Sequence, residues 1–395
     1  MKLYTYKNDC SAAKKVVAED MILTKEIPTT AGSRMLDSYV SLLESEALSR
    51  LKDNGYALFG KACVGEFAID LLGETCYDSD SCDGDVIKNA SAEILKAGEC
   101  DCVLALDVNG ASRRAAAQNG LVNIKPTYGT VSRFGTVPVA CSGETVSVTA
   151  RSSAECRDAL YCIVGHDDKD GTSLPQTDCD KVKEGKGEPK KLALLKSMTE
   201  ALDASSRKSL DSFCDVMRAG GVAVEEVEDD VICKSGAAWN ILMCAELCNN
   251  VSRYDGVKYG YRAESFSSLD ELYVNSRTEA FGELLKTAIL FGSETLSTEN
   301  YMKVYDKALR TRRVICERFA SLHESYDAVI IPTCSSLEYK KDADKHMAFE
   351  ENRYTAPASV TGLPAVTVGT VQLVGAPFSE GVLLNAAKIY EKGVK

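Results

Sequence analysis

Residues 106–135 read LDVNGASRRAAAQNGLVNIKPTYGTVSRFG, and this stretch carries the pattern from which the fold and a site are predicted. An apolar run ends at a turn of small and polar residues, Asn109 to Ser112, and an alanine-rich segment typical of a helix follows. Pro126 and Gly129 then restrict the backbone of the KPTYG turn. A strand, a tight turn and a helix in this order are suited to present a reactive side chain at the turn.

The rest of the chain repeats this alternation of apolar runs and helical patterns. Between about residues 19 and 165 the pattern favours an α/β fold, in which a sheet carries helices on its faces. Residues 1–18 are polar with some helical character, and residues 165–178 mark a break. Further strands are predicted at 190–198, 222–231 and 327–336, mostly helix over 234–325, more strand and turn over 354–375, and a closing helix over 379–393.

Composition limits the classes of protein to which the chain can belong. Hydrophobic residues make up 45% and charged residues 26% of 395 residues, which is typical of a globular protein. The net charge of −12 disfavours direct binding of nucleic acid, and the lysine-containing segment 181–191 is interpreted as a solvated loop. No apolar run is long enough for a membrane span, and no secretory leader is visible. We therefore expect a soluble, cytoplasmic protein.

Sixteen cysteines are scattered along the chain without a CxxC pair. Cys100 and Cys102 alternate on a predicted strand, and Cys244 and Cys248 share a predicted helix face. Metal ligation is one interpretation of either pair, but small buried thiols in a reducing compartment explain them better. The sequence predicts neither a metal site nor a cofactor.

Several ordered motifs resemble the amidase signature family. NIKPTYGTVSRFG (123–135) and GHDDKDGTS (165–173) carry the resemblance, and residues 249–282 are similar to the A subunits of glutamine-dependent aspartyl/glutamyl-tRNA amidotransferases. Agreement extends to TTAGSRML (29–36), YDAVIIPT (326–333), TGLPAVTV (361–368) and PFSEGVLLNAAKIYE (377–391). The resemblance implies one domain over 1–395 with a mixed twisted sheet flanked by helices on both faces. It also implies a truncated N-terminal helical region and a largely helical insertion at about 200–325.

Members of that family cleave amides with a serine nucleophile, a serine in a cis peptide and a neutral lysine base. The family motif DTGGSIRQPA aligns with DVNGASRRAA (107–116), which places Ala111 at the nucleophile position. The same comparison places Ile87 at the cis-serine position and Glu19 at the base position. An alanine methyl group cannot attack, isoleucine cannot relay a proton, and glutamate would bring a negative charge to the place of a neutral amine.

Four other residues are candidate replacements for the missing chemistry. A register slip of one residue would make Ser112 the nucleophile, with Lys88 as a displaced base. The simpler interpretation is that Ser112 is a polar turn residue and that Lys88 is a solvated charge. Cys141 and Ser142, in VACSGETVS, match a Ser-Ser pair of the family and are the remaining nucleophile candidates.

The resemblance also implies ligand-binding positions. Arg312 aligns with an arginine that would bind a carboxylate through two hydrogen bonds. An equally good interpretation is that Arg312 is an arginine on the surface of a helix and binds no ligand. Asn352 replaces an aspartate, which removes a charge that would hold an ammonium group. Asn109 and Gly110 belong to the turn that faces the substrate in the family.

The sequence therefore predicts a degenerate, catalytically inactive homologue of the amidotransferase A subunit with a scaffolding, regulatory or ligand-binding role. Expected partners are B- and C-type amidotransferase subunits or an active A subunit, with a small amide or carboxylate as ligand. The alternative is a working amidase or glutaminase that supplies ammonia for the amidation of Glu-tRNA(Gln) or Asp-tRNA(Asn), using Ser112 or a cysteine.

Overall fold

A computed structural model describes residues 1–79, 81–185 and 187–394. Eleven strands form one mixed sheet in the order β1-β3-β2-β6-β8-β7-β12-β13-β11-β9-β10, and helices flank it, as the sequence predicts for an α/β protein. The strands are β1 (Tyr4–Lys7), β2 (Lys14–Glu19), β3 (Tyr56–Ala62), β6 (Cys102–Asp107), β7 (Val122–Lys125), β8 (Thr145–Ala150), β9 (Lys191–Leu195), β10 (Ala223–Val227), β11 (Ala328–Pro332), β12 (Ala365–Val368) and β13 (Val371–Gly375). A separate small ladder joins β4 (Cys82–Asp83) to β5 (Val86–Ile87).

Helices connect these strands and cover the sheet. They are α1 (Glu46–Asp53), α2 (Ala90–Lys96), α3 (Ala111–Asn119), α4 (Ser153–Ile163), α5 (Gln176–Glu184), α6 (Ala204–Ala219), α7 (Ser235–Val251), α8 (Leu269–Ala280), α9 (Glu283–Thr295), α10 (Asp306–His323), α11 (Met347–Thr361) and α12 (Glu380–Gly393). A π-helical turn, Tyr301–Tyr305, precedes α10. No helix in the described part of the chain is long and apolar enough to cross a membrane.

Two parallel strands bring the predicted site together. β2 pairs in parallel with β6 in the register Val16↔Cys102 and Ala18↔Leu104. Their carboxyl ends, Glu19 and Asp107, therefore lie at the same edge of the sheet, where ligand sites of parallel sheets form. β8 then runs antiparallel to β6. Both β6 and β8 are buried along their whole length, so the loops at this edge stand on a rigid base.

The structure corrects three expectations from the sequence. Residues 1–18 contain β1 and β2 rather than a helix, because β2 pairs with both β3 and β6 and long-range pairing decides its conformation. Residues 354–361 belong to α11 rather than to strand and turn. All of its residues from 354 to 360 are buried, so the segment has no amphipathic period to reveal the helix. The segment 181–191 begins inside α5 rather than as a loop, and residue 186 lies outside the described residues.

Candidate functional site

The turn between β6 and α3 is held by a glycine and by a buried ion pair. Gly110 lies in the left-handed region with a φ of 80°, and a Cβ at this position would lie 2.5 Å from the Thr355 side chain. Arg113 donates two hydrogen bonds to Asp107, of 2.7 and 2.8 Å, and both side chains are fully buried. Ala111 begins α3 immediately after Gly110 and presents a half-buried methyl group at the predicted nucleophile position.

Asn109 connects this turn to three other parts of the molecule. Its Nδ2 donates to the Ile69 carbonyl oxygen at 2.7 Å. Its Oδ1 accepts from Trp239 Nε1 at 3.1 Å and from Asn352 Nδ2 at 3.0 Å. The side chain is fully buried, so these bonds fix its orientation within the protein. The predicted ligand-binding pair Asn109 and Asn352 is thus brought together, with each side chain bonded to the other.

The indole ring of Trp239 lies between two loops of the site. Trp239 is the single tryptophan of the chain and is fully buried on α7. One end of the ring bonds to Asn109, and the other lies against Gly143, where a Cβ would be 2.4 Å from the ring. The indole therefore fills the space between the 107–111 turn and the 141–143 loop. The sequence did not reveal this role, because an apolar residue on a helix predicts only core packing.

Glu19, at the predicted base position, is the last residue of β2 and is only 4% exposed. Ser91 Oγ on α2 donates a 3.0 Å hydrogen bond to Glu19 Oε1. Burial raises the pKa of Glu19 to about 8, the hydrogen bond from Ser91 opposes this rise, and the negative charge of Asp107 adds to it. At neutral pH the carboxyl group is therefore mostly protonated, contrary to the expectation of a negative charge.

Ile87 and Lys88 do not form a proton relay with the turn. Ile87 belongs to β5, is buried, and donates its backbone N–H to the Tyr339 carbonyl at 2.9 Å. Lys88 is half-buried, and its backbone N–H donates to the Ser81 carbonyl at 2.7 Å. Within the described ranges the Lys88 ammonium has no hydrogen bond or ion pair, including with Ser112.

Ser112 points toward the sheet rather than toward a base. Its side chain is 6% exposed, and its Oγ lies 3.3 Å from Ser147 Oγ on β8. Ser147 Oγ in turn lies 3.4 Å from the Ala105 carbonyl oxygen. A serine hydroxyl needs a proton acceptor stronger than another hydroxyl to become a nucleophile.

The 141–143 loop contains a nucleophile candidate, Ser142, whose hydroxyl has a carboxylate partner. Ser142 donates both its hydroxyl and its backbone N–H, the latter at 2.9 Å, to the two oxygens of Glu246 on α7. Arg312 Nη2 donates to the Ser142 carbonyl oxygen at 2.9 Å. Cys141 is half-buried with Asn250 Nδ2 at 3.6 Å from its sulfur, and burial raises the pKa of the thiol. Ser142 therefore has a potential base, whereas the Cys141 thiol is poorly ionised.

Arg312 and Asn352, the predicted ligand-binding residues, have different partners. Arg312 is half-buried on α10 and has no carboxylate within ion-pair distance among the described residues. Asn352, on α11, donates to Asn240 Oδ1 at 2.7 Å as well as to Asn109. Its buried Oδ1 accepts no hydrogen bond from any residue that the structure describes.

Two buried acids lie in the loop that follows β3. Glu66, 3% exposed, accepts hydrogen bonds from Ser33 Oγ at 2.6 Å and from the Gly282 N–H at 2.9 Å, and burial raises its pKa to about 7. Burial, followed by the charge of Glu74, raises the pKa of fully buried Asp70 to about 8. The sequence did not single them out, because an acid within a mixed segment gives no sign of its burial.

Lys125, on β7, is a fully buried amine that the sequence did not indicate. Its Nζ lies 3.2 Å from the Leu363 carbonyl oxygen and 3.5 Å from that of Pro126. Burial lowers the pKa of Lys125 to about 7, with Asp107 opposing the change. A neutral amine is the kind of base that a serine needs, but the hydrogen-bond partners of Lys125 in the described chain are carbonyl oxygens.

All sixteen cysteines are free thiols, including the Cys100/Cys102 and Cys244/Cys248 pairs. In the part of the chain that the structure covers, no group of three or more His, Cys, Asp or Glu side chains is arranged to hold a metal ion.

Comparison with known proteins identifies the family. A family model described as Amidase matches residues 91–392. The A subunit of glutamyl-tRNA(Gln) amidotransferase from Lachnoclostridium phytofermentans is 31% identical over 417 residues, which cover 96% of this chain and 84% of the relative. The protein of the same name from Streptococcus pneumoniae is 32% identical over 407 residues, covering 97% of this chain and 83% of the relative.

A solved structure agrees with the sequence comparison. The crystal structure of the A subunit of glutamyl-tRNA(Gln) amidotransferase from Thermotoga maritima matches with a TM-score of 0.81 and 25% identity, covering 99% of this chain and 87% of that one. The structural similarity therefore extends over nearly the whole of this chain. The chain therefore belongs to the amidase signature family and is homologous to the A subunit of glutamyl-tRNA(Gln) amidotransferase.

Proposed function

We propose that this chain is a catalytically silent member of its family that acts as a scaffolding, regulatory or ligand-binding subunit. Two observations carry the proposal: the Trp239 indole lies beside the turn, and Ala111 supplies only a methyl group at the start of α3. Amide cleavage needs both room for the substrate and an attacking atom. Ala111 supplies no attacking atom at this position, and the Trp239 indole occupies space beside it.

The residues around the turn do not replace the lost chemistry. Glu19 is buried and mostly protonated at neutral pH, so it is a poor proton acceptor there. In the described chain the Ser112 hydroxyl lies against the Ser147 hydroxyl, and no carboxylate, imidazole or amine is hydrogen-bonded to either of them. Because nucleophile and base act as a unit, losing all members of such a set removes nearly all of the rate.

We propose that Arg312 and the residues beside it bind a small carboxylate or amide. The Arg312 guanidinium is half-buried, and within the described chain it has no carboxylate partner. A guanidinium in this state can hold a carboxylate with two parallel hydrogen bonds. The adjacent Ser142 and Glu246 offer a hydroxyl and acceptor oxygens for the amide end.

A protein partner is the second part of the proposal. Leu42 is 82% exposed, and its neighbours Val40 and Leu43 are 47% and 51% exposed. Adjacent apolar side chains on a surface loop favour contact with another protein. Candidate partners are B- and C-type amidotransferase subunits or an active A subunit, in the cytoplasm. The net charge of −12 argues against direct contact with tRNA.

Ammonia release tests the loss of catalysis. The purified chain is incubated with glutamine, asparagine and simple amides, alone and with B- and C-type subunits, and ammonia is measured. We expect release at the rate of the buffer blank in both conditions. Turnover above the blank that disappears in Ser112→Ala would overturn the proposal.

Co-purification tests the scaffolding role. We expect the chain to form a stoichiometric complex with B- and C-type subunits or with an active A subunit. The double change Leu42→Glu and Leu43→Glu should weaken that complex at least tenfold, whereas Leu290→Glu, at a leucine 71% exposed on α9, should not. A chain that stays monomeric and binds none of these subunits contradicts this part of the proposal.

A working glutaminase is a second candidate, because the Ser142 hydroxyl donates to the Glu246 carboxylate. A carboxylate that accepts this hydrogen bond is able to act as a general base for the hydroxyl. Ammonia release that is lost in Ser142→Ala and Glu246→Gln, but kept in Ser112→Ala, would establish this alternative.

A further inference from the structure

A cleft of about 590 Å³ opens between α7, α11 and the turn that follows β9. Its described lining includes neither the 107–111 turn nor Arg312. The volume lies in the range of about 300–1,000 Å³ that is typical of small-molecule sites. The two helices pack closely along the cleft, since a Cβ at Gly236 on α7 would lie 2.9 Å from the Arg353 Cα on α11. This packing holds the lining residues of both helices in place.

Three charged side chains line the cleft, and they are Glu200, Glu350 and Arg353. Among the residues that the structure describes, none of the three forms an ion pair. All three are exposed, so a solute can reach them. Two carboxylates and one guanidinium complement a small molecule with two positive charges and one carboxylate. The Arg353 guanidinium can hold that carboxylate with two parallel hydrogen bonds.

Asn240 adds hydrogen-bonding capacity to the wall of the cleft, where it is half-buried. A side-chain amide has two N–H donors and can accept two hydrogen bonds. Asn240 Nδ2 donates to the Phe349 carbonyl oxygen at 2.9 Å, and its Oδ1 accepts from Asn352 Nδ2 at 2.7 Å. One N–H and one acceptor position of Asn240 therefore have no partner in the described chain and are left for a ligand.

We propose that this cleft binds a free basic amino acid, such as arginine or lysine. Arg353 and Asn240 hold its carboxylate, and the two glutamates hold its α-ammonium group and the cationic end of its side chain. Phe349 and Met198 give the cleft an apolar wall, which suits the aliphatic stem of such a side chain. A neutral amino acid leaves one glutamate without a partner, and an acidic one is repelled by both.

The cleft is connected to the turn by a chain of hydrogen bonds. Asn352, which is fully buried, donates both to Asn240 in the cleft wall and to Asn109 in the turn, at 2.7 and 3.0 Å. Asn109 also accepts from Trp239, the residue before Asn240 on α7 and the single tryptophan of the chain. A ligand on Asn240 therefore alters the surroundings of the indole, whose fluorescence reports binding. Because this cleft is separate from the Arg312 site, either ligand proposal can fail without the other.

Calorimetric titration of the full chain with L-arginine and L-lysine tests the site. We expect saturable binding of one molecule, with the same half-saturation in the fluorescence of Trp239. Agmatine, which is arginine without its carboxylate, should bind at least tenfold more weakly, and glutamate should not bind. Equal heats for arginine, agmatine and glutamate, or no saturation by arginine or lysine below about 10 mM, would overturn the proposal. A constant Trp239 emission through a saturating titration would contradict the contact with Asn240.

Variants assign the charges of the cleft. Arg353→Gln should lower the affinity for arginine at least tenfold without lowering that for agmatine, which has no carboxylate to be held. Glu200→Gln and Glu350→Gln should each weaken the binding of both molecules. Arg310→Gln, at an arginine 70% exposed on α10, is the matched control and should change neither affinity, and circular dichroism checks the fold of each variant. An arginine affinity that survives Arg353→Gln but is lost in Arg312→Gln would overturn the proposal.

Discussion

Replacing Glu19 by glutamine tests the state of the buried carboxyl group at the base position. The change removes the titration and keeps the size of the side chain and the oxygen that accepts from Ser91. Burial raises the pKa of Glu19 from its ordinary value of 4.5 to about 8, so the folded chain holds this proton more tightly than the unfolded chain. The contribution of Glu19 to stability is therefore fully present below pH 4.5 and is lost as the pH rises through about 8.

The size of the effect follows from that interval. At about 1.4 kcal/mol for each pH unit, the interval from 4.5 to about 8 sets an upper limit of about 5 kcal/mol. Local relaxation and entry of water reduce the cost of burying a charge, so we expect about 2–4 kcal/mol. Glu19→Gln should gain this much unfolding free energy relative to the unmodified chain between about pH 5 and about pH 9.

Urea unfolding at several pH values measures this difference. Asp70 and Glu66 also titrate in this range, but they are present in both proteins and cancel in the comparison. Glu228→Gln, at an exposed acid, is the matched control and should show no such trend. A difference between the Glu19→Gln and unmodified chains that stays constant with pH, or that falls as the pH rises, would refute a protonated Glu19.

Three further predictions concern the turn and its surroundings. Trp239→Ala should lower the unfolding free energy by about 3–5 kcal/mol, because it leaves a cavity between Asn109 and Gly143. Added indole should restore part of this loss in thermal melts. A loss below about 1 kcal/mol would mean that the ring is not packed there. Asp107→Asn should cost about 3–5 kcal/mol in urea unfolding, because it leaves the buried Arg113 charge uncompensated; a neutral change would contradict the ion pair. Ala111→Ser should leave ammonia release from glutamine at the blank rate, and measurable turnover would show that a base is present after all.

Much of the fold was predictable from the sequence because its motifs are local and ordered. The apolar run that ends at Asp107 and the small residues after it predicted β6, the turn and α3, and the structure places them as expected. The α/β class and the family are confirmed in the same way. The strands within residues 1–18 were missed, since β2 is decided by its pairing with β3 and β6 rather than by its own residues.

The contents of the site were harder to predict, because they depend on residues distant in sequence. Trp239 lies 130 positions from Asn109, with which it bonds, and Glu246 lies 104 positions from Ser142. The protonated state of Glu19 arises from burial, which a local pattern does not report. Lys125 was missed for the same reason, since a lysine at the end of β7, next to a predicted turn, gives no sign of its burial in the sequence.

We propose above all that no side chain of this protein attacks an amide carbonyl. Intact-mass spectrometry after incubation with glutamine and rapid acid quenching tests this directly, because a working serine or cysteine would carry a γ-glutamyl group. We expect the unmodified mass at every time point, with or without B- and C-type subunits. A γ-glutamyl adduct on Ser112, Ser142 or Cys141 would contradict it.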